Sequence, residues 1–262
     1  MSSQKESTVR TLMVALLVCL VCSVFVAGAA VALKPTQVDN RLLDKQRSIL
    51  AIAGLGDPGM SSSQVKEMFK GTVSAKLVDL QTGKFSDARD PLTFDPLKAS
   101  KDPKLSSVLP GAEDIASIKR MERYSTVYVV EKNGELDTLI MPVRGYGLWS
   151  TLYGFIAVKG DLNTVVGMGF YQHAETPGLG GEVDNPKWKG QWPGKTLFDE
   201  DGKLAVQIVK GGIDAQSPQA VHQVDGLAGA TLTSKGVDNL LNFWLGENGF
   251  GPFIANLRAG EA

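Results

Sequence analysis

The longest apolar stretch of the chain runs from Leu12 to Leu33 without a single charged residue. As a helix it would be about 33 Å long, enough to cross the hydrocarbon core of a bilayer. A cleaved signal peptide is the competing reading, because Lys5 and Arg10 precede the stretch and Ala27-Gly28-Ala29 and Ala30-Val31-Ala32 resemble cleavage sites. The apolar run continues past the first of those sites, which favours a retained span. Beyond it, Arg41 to Ala53 places Leu42, Leu43, Ile49, Leu50 and Ile52 among charges, predicting a short amphipathic helix that Gly54 to Gly59, with Pro58, brings to an end. Ser61 to Phe69 predicts a second helix with serine at its start, and Thr72 to Leu80 a strand closed by Thr82-Gly83. The polar stretch from Asp87 to Ala112, with Pro91, Pro96, Pro103 and Pro110, predicts an irregular surface loop.

From Tyr124 the pattern becomes β-branched and aromatic. Tyr124 to Glu131 and Leu136 to Val143 flank Asn133-Gly134, a hairpin signal, and further strands are expected at Leu152 to Lys159, Val165 to Tyr171 and Leu204 to Lys210. Helical patterns at Ser234 to Leu245 and Pro252 to Leu257 close the chain. Strands and helices do not alternate regularly, so the expected class is α+β rather than a doubly wound sheet. The expected organisation is an N-terminal tail (1–11), a transmembrane helix (12–33), membrane-proximal helices with an irregular region (34–120), and a mixed α+β domain (121–262).

Charge and cysteine content narrow the function classes. Lys and Arg total 27 against 28 Asp and Glu, which gives no sign of a nucleic-acid surface or a polybasic membrane patch. Both cysteines, Cys19 and Cys22, fall in the apolar stretch, leaving the polar remainder without a thiol for a disulfide, a zinc site or an iron–sulfur cluster. Redox chemistry there would require a borrowed cofactor. The two histidines, His173 and His222, have no close ligand spacing that would support a metal site.

The stretch from Asp225 to Ser234, Asp-Gly-Leu-Ala-Gly-Ala-Thr-Leu-Thr-Ser, leads directly into the best C-terminal helix. Gly226, Ala228, Gly229 and Ala230 are small enough to let a ligand approach the backbone, and Thr233 or Ser234 can cap the helix. Free amides and the positive end of the helix dipole would then favour a phosphate, with the Thr231 hydroxyl beside it. On local physics alone an ordinary tight turn and helix cap explains the same string.

The aspartate, the spacing and the Gly-Ala-Thr triplet resemble the flavinylation motif of FMN-binding redox subunits, with matches at Asp225, Gly229, Ala230, Thr231 and Thr233. That resemblance implies FMN joined to Thr231 by a phosphoester bond and installed by a flavin transferase that uses FAD, with Leu232 also at the cofactor. Ala228 departs from the pattern, since many members carry serine or threonine there. The string His173-Ala174-Glu175-Thr176-Pro177-Gly178-Leu179 is similar to a second family motif. It implies that His173, Glu175, Thr176, Gly178 and Leu179 contribute to the flavin pocket, although for His173 and Glu175 a plain surface loop is the alternative. Leu148, Trp149 and Ser150 resemble a third wall beside the flavin, Trp149 being otherwise a core or rim anchor. Lys210 could bring a positive charge to the O2 and N1 edge of the ring, or simply be solvated.

Taken together these motifs resemble the NqrC family of sodium-translocating NADH:quinone reductases. The resemblance implies a membrane-anchored electron relay with iron–sulfur and membrane partner subunits, in which NADH binds elsewhere and no side chain of this chain acts as acid, base or nucleophile. It also implies a bacterial inner-membrane location with the FMN domain on the periplasmic side. The charge count points the other way, because Lys34, Arg41, Lys45 and Arg47 follow the stretch closely. The flavoprotein of the Rnf electron-transport complex, and a membrane-anchored flavin-binding sensor or scaffold, are the alternatives.

Overall fold

The computed structural model describes residues 7–57 and 59–262, so Lys5 and Pro58 lie outside the described residues. The chain divides into two units, Met1–Asp44 and Lys45–Ala262. The first helix, α1, is Thr8–Ile52, with Pro35 inside it. The separate amphipathic helix expected over Arg41–Ala53 is therefore the continuation of α1. A proline in a helix interior forfeits one backbone hydrogen bond and usually breaks or kinks it; here the helix carries on regardless. Among the described residues of the first unit the apolar side chains are exposed apart from the half-buried Leu43, and α1 is long and apolar enough to cross a membrane. Its end is marked by Gly54 at φ +71°, and Ile49 and Leu50 near that end are fully buried.

In the second unit, α2 (Ser62–Thr72) begins with a capping box in which the Ser61 side chain accepts from Gln64 N–H and the Gln64 side chain accepts from Ser61 N–H. Strand β1 (Val73–Asp79) follows, with the two-residue β2 (Lys84–Phe85) beside it. The stretch read as irregular contains one turn of helix, α3 (Pro96–Ala99), and β3 (Ser106–Val108), which pairs with β4 (Arg120–Glu122). Local sequence hides this pairing because β3 and β4 are only three residues long and neither carries a hydrophobic run.

The main sheet is completed by β5 (Tyr124–Lys132), β6 (Glu135–Tyr146), β7 (Thr151–Lys159) and β8 (Val165–Gln172), in the antiparallel order β2-β1-β5-β6-β7-β8. Asn133 and Gly134 both have positive φ, 55° and 83°, as the β5–β6 turn requires. A four-residue helix, α4 (Pro186–Lys189), precedes β9 (Gln207–Val209) and β10 (Gln223–Asp225), which form a separate parallel pair. The strand expected from Leu204 to Lys210 is confined to β9. Helices α5 (Thr231–Leu245) and α6 (Gly251–Ala259) end the chain, so the α+β class holds.

Both faces of the sheet are covered. Val127, Val129, Leu139, Met141, Val143 and Ile156 join the core formed with α5 and α6. Residues of the opposite parity meet the end of α1 and α2: Phe69 packs edge-on against Tyr128, the Lys45 ammonium lies 5.4 Å from the Tyr128 ring centre, and Gly167 backs onto the Ile52 backbone. Burial on two sides is why β5 reads as a near-continuous apolar run without alternation. Helix α5 lies against β6 so closely that a Cβ on Gly145 would come within 2.6 Å of Leu240 Cβ. That packing fixes where α5 begins, and its first turn is where the site lies.

Candidate functional site

Helix α5 starts at Thr231 with Ala230 as its N-cap and without any side-chain cap. The capping role expected of Thr233 or Ser234 is not what they do. Ser234 Oγ turns back to donate to Ala230 O at 3.1 Å and to accept from Leu227 N–H at 2.8 Å, which pins the preceding turn. Thr233 Oγ1 donates to Glu175 at 2.8 Å. The first backbone bond at this end is Ser234 N–H to Ala230 O at 3.0 Å, so the amides of Thr231, Leu232 and Thr233 have no acceptor within the helix. Gly229 permits the entry with φ +74°.

A cavity of about 680 Å³ opens beside Thr231. Its walls include Lys210, Asp225, Gly229 and Thr231 from the expected site, together with Lys235 and Asp238. These last two are not among the residues singled out from the sequence, although positions 231, 235 and 238 share one face of a helix by spacing alone. Asp225 Oδ1 is buried without a hydrogen-bond partner in this wall. Burial pushes the Asp238 carboxyl above the usual carboxylate range, against the pull of the bond it accepts from Ile208 N–H at 2.9 Å. Gly211 and Gly212, both at φ +94°, form the turn after β9 that leaves Lys210 exposed at the rim.

The remaining expected residues gather on the other side of the α5 N-terminus, around Glu175. Its carboxylate accepts from Trp149 N–H and Ser150 N–H at 3.0 Å each, from the Ser150 hydroxyl at 3.1 Å, and from Leu148 N–H at 3.3 Å. Burial drives the Glu175 carboxyl upward, but the Thr233 hydroxyl and the three amides outweigh it and leave the group below its ordinary value. Glu175 N–H donates to His173 Nδ1 at 3.2 Å, and His173 Nε2 meets Asp184 Oδ2 at 2.8 Å, which fixes the ring between the two. Lys189 Nζ pairs with Asp184 Oδ1 at 2.8 Å. Burial raises the Asp184 carboxyl, but Lys189 and His173 together hold it below the usual range.

His173 and Glu175 are therefore parts of a bonded network rather than of a free surface loop. Trp149 is 66% exposed, which removes the core-anchor reading for it and leaves the rim. Tyr146, whose hydroxyl donates to Trp149 O at 3.3 Å, and Leu148, Leu179 and Leu232 are also exposed, and Thr176 and Gly178 lie in the same exposed turn as Leu179. Gly229 bridges the two halves of the site, since a Cβ there would touch Leu179 Cδ2 at 3.3 Å. Ala230, just inside, is buried. The site is thus a cavity with four charged side chains, Lys210, Asp225, Lys235 and Asp238, among its walls on one side of Thr231, and an exposed apolar rim on the other. Among the described residues no cluster of three or more His, Cys, Asp or Glu is arranged to hold a metal.

A cavity at an uncapped helix start, with Lys210 and Lys235 as well as Asp225 and Asp238 in its walls and exposed aromatic and aliphatic side chains at its edge, suits a cofactor that has an anionic group and a flat ring. The FMN-binding domain family matches residues 147–246, which contain both halves of the site. Over 260 residues the chain is 75% identical to the NqrC component of the Na(+)-translocating NADH-quinone reductase of Pseudomonas aeruginosa, covering 99% of this chain and 100% of that one. It is 51% identical to the corresponding NqrC of Yersinia pestis over 97% of this chain and 95% of the relative. The crystal structure of Shewanella oneidensis NqrC superposes with a TM-score of 0.74 at 38% identity, covering 82% of this chain and 96% of that one. The NqrC crystal structure from Parabacteroides distasonis gives 0.65 at 30% identity, covering 85% and 96%. The chain belongs to the NqrC family of the Na(+)-translocating NADH-quinone reductase. These relatives favour that complex over the Rnf alternative.

Proposed function

We propose that this chain carries FMN as a phosphoester on Thr231 and relays electrons within a sodium-pumping NADH:quinone reductase, from an iron–sulfur centre in one partner to a flavin in another. The observation that carries the reading is the position of Thr231 as first residue of an uncapped helix in the wall of a cavity.

The residues fit the cofactor. A phosphoryl group at Thr231 would meet the free amides of the α5 start and the positive end of its dipole, with Lys210 and Lys235 in the same wall. Asp225 Oδ1, buried and unpartnered, offers an acceptor to a donor such as a ribityl hydroxyl. Leu148, Trp149, Leu179 and Leu232 supply apolar surface for a ring to cover. When bound, FMN supplies the reversible electron acceptance, and the protein sets its orientation, exposure and electrostatic surroundings. In this reading His173, Thr176 and Gly178 shape the turn that carries Leu179, and Ser150 fixes the turn that carries Trp149 by donating to Glu175 and accepting from Ala174 N–H at 2.8 Å.

The proposal extends to maturation and placement. A flavin transferase would attach the group, the α1 helix would hold the chain in the bacterial inner membrane, and the FMN domain would face the periplasm. Covalent attachment suits a domain outside the cytoplasm, where a lost flavin is not readily replaced. Peptide mass spectrometry on protein made in its native host, with the transferase present, tests the central claim. An FMN adduct on the Thr231 peptide supports it; an unmodified peptide rules it out.

A further inference from the structure

Glu175 is 5% exposed, and five protein donors already converge on its carboxylate: the amides of Leu148, Trp149 and Ser150 and the hydroxyls of Ser150 and Thr233. A carboxylate offers about four lone-pair positions, so this one is saturated. Space around it is equally filled. A Cβ on Gly147 would sit 2.7 Å from Oε1, and one on Gly180 2.7 Å from Oε2. The donors come from two separate segments, the turn between β6 and β7 and the first turn of α5, 25 and 58 positions away from Glu175 at Ser150 and Thr233. On its other side the backbone is held in turn, through His173 and Asp184 to Lys189 of α4.

We infer that Glu175 is a positioning residue and not a flavin ligand: its carboxylate clamps the Gly147–Ser150 turn to the first turn of α5, and so sets where the Leu148–Trp149 rim stands relative to Thr231. The inference rests on the proposed function for the identity of the group at Thr231, whereas the clamp itself is a property of this chain alone. An acceptor-only carboxylate matches the site because all five groups donate to it, and its charge strengthens each bond. Glutamine of the same size can keep an acceptor at Oε1 but loses the charge that strengthens these bonds, and its amide puts hydrogens at Oε2, facing the Leu148 N–H and the Thr233 hydroxyl. An anion in place near the flavin also opposes the extra negative charge that reduction brings to the ring, so the clamp bears on the potential as well as on geometry.

Hydrogen–deuterium exchange on the full chain in detergent, with the flavin midpoint potential measured on the same preparations, tests this. Glu175→Gln is expected to speed exchange at Leu148, Trp149 and Ser150 by about tenfold or more. It should raise the potential while leaving the adduct on Thr231 detectable by mass. Thr233→Val, which removes one donor, should produce a smaller change in the same direction, and Thr233→Ser, which restores the hydroxyl, should match the wild type. Unchanged exchange at those amides in Glu175→Gln overturns the inference. So does faster exchange with an unmoved potential, which would make Glu175 a residue of the fold alone. Loss of the adduct with exchange unaltered would make it a direct ligand. If Glu175→Gln does not fold, the Val and Ser variants at Thr233 decide, and equal behaviour of the two overturns the clamp. A wild-type protein without FMN would sink the proposed function but leave the exchange comparison standing.

Discussion

Trp244 Nε1 donates to the carbonyl of Arg144 at 2.7 Å, joining α5 to β6 across 100 positions of sequence. The Arg144 guanidinium lies 5.1 Å from the Trp244 ring and chelates Glu122 through two bonds of 2.6 Å each. Both charged side chains are almost wholly buried, 10% and 1% exposed. Breaking such a pair from one side leaves an uncompensated charge in the core, so Glu122→Gln is expected to destabilise the protein by about 3 kcal/mol. Denaturant unfolding checks this, and a loss under about 1 kcal/mol, the range of a surface pair, would refute it.

At Asp225 the expectation is reversed. Its buried oxygen has no partner to lose, so Asp225→Ala should leave the flavin-free protein within about 0.5 kcal/mol of wild type. Under the proposed function the fraction of chains carrying FMN should nonetheless fall. Thermal melts and intact-mass measurement read the two effects independently, and full FMN loading in the variant would contradict the role given to Asp225.

Acid should lower stability in part by loosening the Glu175 clamp at the rim. The folded Glu175 carboxyl is held below its ordinary value of 4.5, so its contribution to stability is complete above about that pH and is lost as pH falls through the lower folded value. Asp184 acts in the same direction. Melting temperature followed downward from neutral pH should therefore drop in the acid range. Thr233→Val, with a weaker hold on the carboxylate, should show a smaller drop than wild type.

Gly236 tests the packing that sets the start of α5. A Cβ there would lie 2.4 Å from Tyr146 O and 2.9 Å from Gly147 Cα. Helix propensity alone would make Gly236→Ala stabilising by about 1 kcal/mol. Overlap with backbone that cannot turn aside should instead cost about 1–3 kcal/mol. A stabilised variant in a thermal melt would show that α5 can slide on β6.

Local chemistry explains which parts of this architecture were legible in the sequence. The Asn133-Gly134 turn and the serine that opens α2 are decided by a few adjacent residues, and both appear as expected. The pairing of β3 with β4 depends on contacts over longer distances and could not be read from the sequence, and the structure gives no packing at Pro35 that explains the course of α1 through it. At the site, the Gly-Ala-Thr stretch marks the place, while the burial of Glu175 depends on groups as far as 58 positions away that no local pattern announces. Lys235 and Asp238 were within reach of helical spacing, had α5 been counted from Thr231 instead of Ser234.

Helix α5 begins without a side-chain cap, and its residue N1 is the threonine that would carry the phosphoester. Most helices settle this end with a serine, threonine or aspartate supplied by the gene, a feature worth about 1 kcal/mol. Here the acceptor oxygens would arrive only with the cofactor. Flavin attachment would then complete a helix start that Thr233 and Ser234 already hold in place, supplying acceptors to the last donors the fold leaves open.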